Sequence, residues 1–232
     1  MDMVQVHPTA FVDPKDPGAM VKFLAAEMLR GDGGMLLNAD GNRFVNELDT
    51  RKVVTASIIN TDVANSGTRQ WDINLVLDEG AYNACKGHMG FYIWKGLMRK
   101  TTISELPSPS AALTTIRNYA TSALSPSSTQ DHFLGRTSFG NWTLAPEDTN
   151  LETTIYTGKV TPAIHFTMGG VTINEASEVL DKDGKSIKGV WAAGEVTGGI
   201  HGENRLGGSS LLECVVFGRR AGKGVVEFFS KS

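Results

Sequence analysis

The stretch Ala193-Gly194-Glu195-Val196-Thr197-Gly198-Gly199-Ile200-His201-Gly202-Glu203-Asn204-Arg205-Leu206-Gly207-Gly208 decides how this chain is read. Six glycines fall between positions 194 and 208, and Ser209-Ser210-Leu211-Leu212-Glu213 follows as a capped helix start that continues through Val215, Val216 and Phe217. Just upstream, Gly189 to Ala193 has the apolar texture of a strand. The spacing predicts strand, glycine loop, helix. Such a loop brings bare backbone N–H groups to a helix N-terminus, where partial positive charge favours an anionic or electron-rich ligand. Taken alone, a glycine-rich run is more often a loop that merely turns tightly.

Working outward, the chain from Val171 reads as short strands with Asp183-Gly184 as a hairpin turn. Toward the N-terminus, residues 20 to 31 read as a helix. Val21, Leu24, Ala25, Met28 and Leu29 recur on one face, Gly31 acts as a stop, and Glu27 and Arg30 sit one turn apart. Met35 to Asn38 and Arg43 to Asn46 flank Asp40-Gly41, a pair suited to a tight hairpin, with Arg51 just beyond. Residues 73 to 78 read as a buried strand. Leu113, Ile116, Tyr119, Ala120 and Leu124 mark a second amphipathic helix between Ser/Pro-rich connectors at 105 to 110 and 125 to 130. No internal repeat is present.

Composition bounds the answer. The 232 residues, 41% hydrophobic and 20% charged, suit a globular protein of one or two domains with a buried core. With 22 basic against 25 acidic side chains there is no global field for nucleic acid or acidic lipid, so any anion recognition must be local. Cys85 and Cys214, far apart and without a ligand-spaced neighbour, argue against a disulfide framework or a metal site and for a reducing compartment. The N-terminal residues lack a basic, apolar leader and no stretch has transmembrane length, which predicts a soluble, cytoplasmic chain. Ser230-Lys231-Ser232 approaches a peroxisome-type or glycosome-type address but ends in Ser rather than Leu, and Asn141-Trp142-Thr143 is a glycosylation triplet of a kind common by chance.

The run from Ala193 to Gly199 followed by His201 to Gly208 resembles the C-terminal flavin signature of the fumarate reductase and succinate dehydrogenase flavoprotein family. The resemblance extends, in the family's order, through His7-Pro8-Thr9, the segment from Glu27 to Arg30, Arg43-Phe44-Val45-Asn46-Glu47, Arg51 and His165-Phe166-Thr167-Met168-Gly169-Gly170. Lys22-Phe23-Leu24-Ala25-Ala26-Glu27 is similar to the version found in soluble, single-chain eukaryotic members; many bacterial members place Thr where Ala26 stands, so one substrate contact assumed for them is absent.

The resemblance implies an α+β capping domain over residues 1–166, inserted in a flavin-binding, Rossmann-like α/β domain whose C-terminal part is residues 167–232. The family's N-terminal G-x-G-x-x-G, which seats the FAD pyrophosphate, is not among these residues, which implies a chain lacking the N-terminal half of that domain and exposing apolar faces. It also implies FAD, held non-covalently. Gly194, Glu195 (on the ribityl chain), Arg205, Gly208, Ser209, Ser210 and Leu211 would contact it, and a helix N-terminus there would stabilise negative charge on the reduced flavin.

A dicarboxylate needs cationic groups at both ends, and Arg205 and Arg51 can each offer a planar fork. By resemblance, His7, His165 and Arg205 bind the carboxylates of fumarate. Arg51 protonates one alkene carbon while hydride from N5 of reduced FAD reaches the other, giving succinate, and Glu27 and Arg30 return the proton. Residue by residue the alternatives stay open. A guanidinium is ordinarily a permanent cation, so Arg51 is also readable as a fixed electrostatic clamp, and Glu27 with Arg30 as a one-turn ion pair worth a few tenths of a kcal/mol. His201 reads as a shaper of its loop, and His88 and His132 as incidental. Competing functions are another flavoenzyme of the family (an aspartate oxidase or urocanate reductase), a non-catalytic partner module, or an isolated anion-binding domain. NADH, quinol, haem and reduced flavin all feed similar flavin domains, and no residue pattern here selects among them as donor.

Overall fold

The computed structural model describes residues 3–61, 63–65, 70–124, 134–202 and 204–230. They form two compact units, one of His7–Ala163 and one of Met1–Val6 with Ile164–Ser232. In chain order the first elements are β1 (Val4–Phe11), α1 (Glu27–Gly31), β2 (Met35–Leu37), α2 (Arg51–Ile59), β3 (Val63–Asn65), β4 (Gln70–Trp71) and β5 (Ile73–Leu77). Then come α3 (Glu79–Ala84), α4 (Lys86–Trp94), β6 (Arg99–Thr102), a 3₁₀ turn (Ile103–Glu105), α5 (Pro109–Leu124) and the 14-residue β7 (Thr154–Thr167). The remainder holds β8 (Val171–Thr172), β9 (Glu178–Leu180), β10 (Ser186–Trp191), β11 (Thr197–Gly198) and α6 (Ser209–Ser230).

The main sheet runs β1-β7-β5-β2, with β6 also paired to β7. β5 is antiparallel to both neighbours, Leu75 lying opposite Leu36 and Gly158. All of its residues are buried because the sheet carries a core on each face. Ile73, Leu75 and Leu77 join Leu29, Val54, Ile58, Ala81 and Met89 on one side; Val76 joins Met35, Leu37, Ile116 and Tyr119 on the other. A strand covered on both faces reads as a continuous apolar run, which is how 73 to 78 reads in the sequence. Helix α5 buries Ala112, Ile116, Tyr119 and Ala120, so of the expected stripe Leu113 is half-buried and Leu124 is exposed, and Tyr119 fixes the helix by donating to Gly33 O at 2.9 Å. The connector at 125 to 130 and His132 lie outside the described residues.

The helix expected over residues 20–31 forms only at its end, as α1. Residues 23 to 25 instead run extended along β1: Phe11 N donates to Phe23 O, Ala25 N to Thr9 O, and Leu24 bridges Ala10. The Tyr92 hydroxyl donates to Leu24 O and accepts from Ala26 N, holding that backbone straight. Of the expected stripe, Val21, Leu24 and Met28 are exposed and only Ala25 and Leu29 reach the core. Pairing with a sheet edge has overridden a helical period. The Asp40-Gly41 turn is present, with Gly41 at φ 78° and Gly41 N on Asn38 O, but residues 43 to 46 form no second hairpin arm. β2 pairs with β5 instead, because Arg43 and Glu47 turn inward.

In the other unit, β9 and β10 form an antiparallel pair around the expected turn at Asp183-Gly184. β10 ends at Trp191, two residues before the anticipated Ala193. β8 and β11 lie parallel, and Gly170 and Gly198 let their backbones touch: a Cβ on Gly170 would meet Val196 O at 2.2 Å. Helix α6 starts at Ser209 as expected. Glu213 is its one buried residue among those described, while Leu211, Leu212, Val215, Val226 and Phe229 are exposed.

Candidate functional site

In the unit of His7–Ala163, α2 begins at Arg51 because Thr50 caps it, its hydroxyl accepting from Val53 N at 3.4 Å. That fixes the buried Arg51 side chain in the first turn, where Nη2 donates to Glu27 Oε2 at 2.6 Å. The other oxygen of the same carboxylate, Oε1, lies 3.6 Å from Arg30 Nη2. Glu27 therefore stands between two guanidinium groups, one on each oxygen. Its own side chain is 40% exposed while those of Arg51 and Arg30 are 6% and 4% exposed, so the carboxylate is where this buried chain meets water. Burial lowers the Arg30 pKa to about 10, against the opposing pull of Glu27 and with a further push from Arg51.

Arg30 is held from behind. Its Nη1 donates to Glu47 O at 2.6 Å, and Arg136 Nη2 donates to Arg30 O at 2.7 Å. Glu47 is fully buried and accepts two bonds from Arg43 (Nε and Nη2, 2.8 and 2.7 Å), one from Arg136 Nη1 at 3.0 Å and one from Leu36 N at 3.1 Å. Burial by itself would raise the Glu47 pKa, but the hydrogen bond and charge of Arg43, with the charge of Arg136, bring it below the ordinary carboxylate value. Arg136 gives no sequence signal, lying 106 residues from Arg30 in a segment without periodicity. His7, almost fully buried on β1, has Nδ1 between Thr9 O at 3.0 Å and Thr9 N at 3.2 Å, so either tautomer finds a backbone partner.

In the unit containing Ile164–Ser232, β7 carries His165 and the glycine loop carries Arg205, and the two meet: Arg205 Nη2 lies 2.7 Å from His165 Nε2. An arginine only donates, so this contact makes Nε2 the acceptor and puts the imidazole proton on Nδ1. Arg205 is buried, its Cζ 4.3 Å from the Phe166 ring centroid, and Nη1 donates to Ser210 Oγ at 3.2 Å. The stacking ring and the Ser210 hydroxyl are contacts that residue spacing does not reveal. His201 is 2.6 Å from Glu213 Oε2 and edge-on to Phe166, tying the loop to α6 as its reading as a loop shaper requires. His88 stands beside the Tyr92 ring.

The glycine loop leads directly into α6. Gly194 and Gly208 have φ of 83° and 77°, Ser209 and Ser210 open α6, and Leu211 is exposed beside them. The exposed Glu195 carboxylate accepts from Thr167 N at 2.9 Å through Oε1, linking the loop to the end of β7. A surface carboxylate, a helix N-terminus and left-handed glycines fit the polyol and electron-poor ring of a flavin. Among the described residues no cluster of His, Cys, Asp and Glu could hold a metal ion, and no helix is long and apolar enough to cross a membrane.

The family model described as "FAD binding domain" matches residues 1–211. The chain is 46% identical to Fumarate reductase 1 of Saccharomyces cerevisiae, covering 97% of the chain and 47% of that protein. It is 45% identical to the fumarate reductase of Schizosaccharomyces pombe, covering 97% of the chain and 42% of that protein. The chain thus spans less than half the length of these relatives. Among solved structures, the open conformation of a flavocytochrome c3 fumarate reductase superposes with a TM-score of 0.66 at 34% identity, covering 98% of the chain and 37% of that one. A 3-ketosteroid delta1-dehydrogenase from Sterolibacterium denitrificans shares the fold with a TM-score of 0.58 at 18% identity, covering 96% of the chain and 43% of that one.

Proposed function

The chain belongs to the FAD-binding domain family of the fumarate reductase flavoproteins, and from that premise we propose that it is part of an enzyme reducing fumarate to succinate. The observation that carries this reading is Glu27, with one oxygen on the Arg51 guanidinium and the other facing Arg30. A carboxylate so placed, half in water, can take a proton from solvent and pass it to the hydrogen-bonded Arg51 as Arg51 gives its own to substrate. Arg205 and His165 take one carboxylate of the dianion, the planar fork setting its orientation, and His7 contributes to holding the substrate. Neutral His165, with its proton on Nδ1, is a donor to an anion without adding charge.

Gly194, Glu195, Arg205, Gly208, Ser209, Ser210 and Leu211 are the residues that would hold FAD, non-covalently, with the α6 N-terminus favouring negative charge on the pyrimidine side. When bound and reduced, FAD supplies the hydride. Residues 1–166 would act as the capping domain and 167–232 as the returning segment of the flavin domain. Since a steroid dehydrogenase shares the fold, the substrate is assigned from the cationic side chains rather than from the architecture.

The test is Arg51→Ala in the flavin-loaded protein, with Arg51→Lys beside it. Both variants are expected to keep flavin, seen as its absorbance band, and to lose fumarate reduction, since an ammonium does not reproduce the fork. Near-normal turnover in Arg51→Ala would remove the assignment, and a preference for aspartate or urocanate over fumarate would move the chain to another activity of the family.

A further inference from the structure

The proposed proton chain uses Arg30 but leaves unexplained the buried charges behind it. Arg43, Glu47 and Arg136 are buried, and Glu47 and Arg136 fully so. They are the kind of group whose desolvation needs a return in geometry. Three of the contacts close a ring. The Arg30 side chain donates to the backbone oxygen of Glu47 at 2.6 Å, the Glu47 carboxylate accepts from Arg136 at 3.0 Å, and Arg136 donates to the backbone oxygen of Arg30 at 2.7 Å. Arg136 also spans Gly34 O at 2.9 Å and Ser138 O at 2.7 Å, so its guanidinium is pinned on every side. Arg43 grips the same carboxylate with two bonds but stands outside this ring.

We propose that Glu47 and Arg136 are positioning residues for proton delivery, holding both the backbone and the guanidinium of Arg30 so that its Nη2 stays aligned on Glu27. The inference rests on the reading of Arg30 as part of the proton chain. Its mechanism is geometric. Among the described residues Arg30 Nη2 and Nε have no hydrogen-bond acceptor, and the 3.6 Å gap from Nη2 to Glu27 Oε1 is kept by what grips Arg30 from behind. A shift of about 1 Å there lowers turnover by on the order of 10²-fold without touching substrate binding.

The experiment contrasts Arg136→Gln with Arg43→Gln. Each removes one cation from Glu47, but Arg136→Gln also strands the carbonyls of Gly34, Ser138 and Arg30, so a purely structural role predicts a larger loss of stability in Arg136→Gln with kcat per folded protein and the Arg30 environment unchanged. Positioning predicts that kcat and the Arg30 environment themselves change. In Arg136→Gln, kcat for fumarate falls, KM stays, and the solvent isotope effect on kcat grows, while Arg43→Gln stays closer to the parent. On the protein labelled with ¹⁵N-arginine, the Arg30 Nε–H resonance exchanges faster with water in Arg136→Gln and keeps its rate in Arg43→Gln. Should Arg136→Gln not fold, Arg136→Lys serves: it keeps the charge beside Glu47 but its single ammonium does not reach all of the carbonyls. Equal behaviour of the two variants in the resonance and in kcat, or an unchanged Arg30 resonance in Arg136→Gln or Arg136→Lys, overturns the inference. The resonance decides positioning even if Arg51→Ala retains turnover, in which case the proton chain fails and the ring around Arg30 does not.

Discussion

Replacing Glu27 by Gln separates proton transfer from structure. Its carboxylate receives Arg51 Nη2 at 2.6 Å and faces Arg30 at 3.6 Å, yet the side chain is 40% exposed, so water already screens both attractions. Pairs of this exposure contribute about 0–1 kcal/mol, and Gln keeps the shape and one oxygen acceptor for Arg51. The melting temperature should therefore move by no more than about 2–4 °C. An amide has no exchangeable acid proton at neutral pH, and removing a general acid–base group costs about 10²- to 10⁴-fold in rate, or roughly 2.7–5.5 kcal/mol of barrier. Steady-state fumarate reduction by the flavin-loaded protein, driven by a chemically reduced dye, should show kcat falling by that factor with KM within about threefold. Glu27→Asp, which draws the carboxylate back by about 1.5 Å, should fall between the two. A Glu27→Gln protein with kcat within about threefold of the parent would refute the relay and leave Glu27 and Arg30 as the ion pair that local spacing also allows.

Two further outcomes rest on buried carboxylates. Asp78 caps α3 through Ala81 N at 2.9 Å and accepts from Thr143 N, Thr143 Oγ1 and Leu144 N at 2.7–3.0 Å; Asp78→Ala strands the buried Ala81 N while water can reach the Thr143 and Leu144 donors, and it should lower the unfolding free energy by about 1–3 kcal/mol in urea titrations. Glu47, whose folded pKa lies below its unfolded value, contributes stability that is present above the unfolded carboxylate pKa and lost as pH falls through the folded one. Urea unfolding between about pH 7 and pH 3 should therefore show a steeper acid limb for the parent than for Glu47→Gln, by up to about one proton, and parallel curves would contradict the shift.

How much of this was legible in the sequence depends on the range of the cause. The Asp183-Gly184 turn, the start of α6 at Ser209, the existence of α5 with Ile116, Tyr119 and Ala120 inward, and the fully buried β5 were readable because each is set within a few residues by φ preference, capping or apolar period. Residues 20–25 show the limit. Their apolar spacing is helical, but hydrogen bonds to Thr9 and Phe11 and to the Tyr92 hydroxyl hold residues 23 to 25 extended, and no local term announces a partner 68 residues away. The candidate site divides the same way. Glu27 and Arg30 are one turn apart by spacing alone, whereas the contacts of Arg51 with Glu27 and of His165 with Arg205 join residues 24 and 40 positions apart and were expected only through family resemblance. Arg136 had neither signal. The amino-acid order by itself determined the turns, caps, apolar stripes and the glycine loop that carries the family signature. Only the tertiary structure decided which buried charges face one another, because a desolvated guanidinium persists only where acceptors gather around it, and those acceptors come from distant parts of the chain.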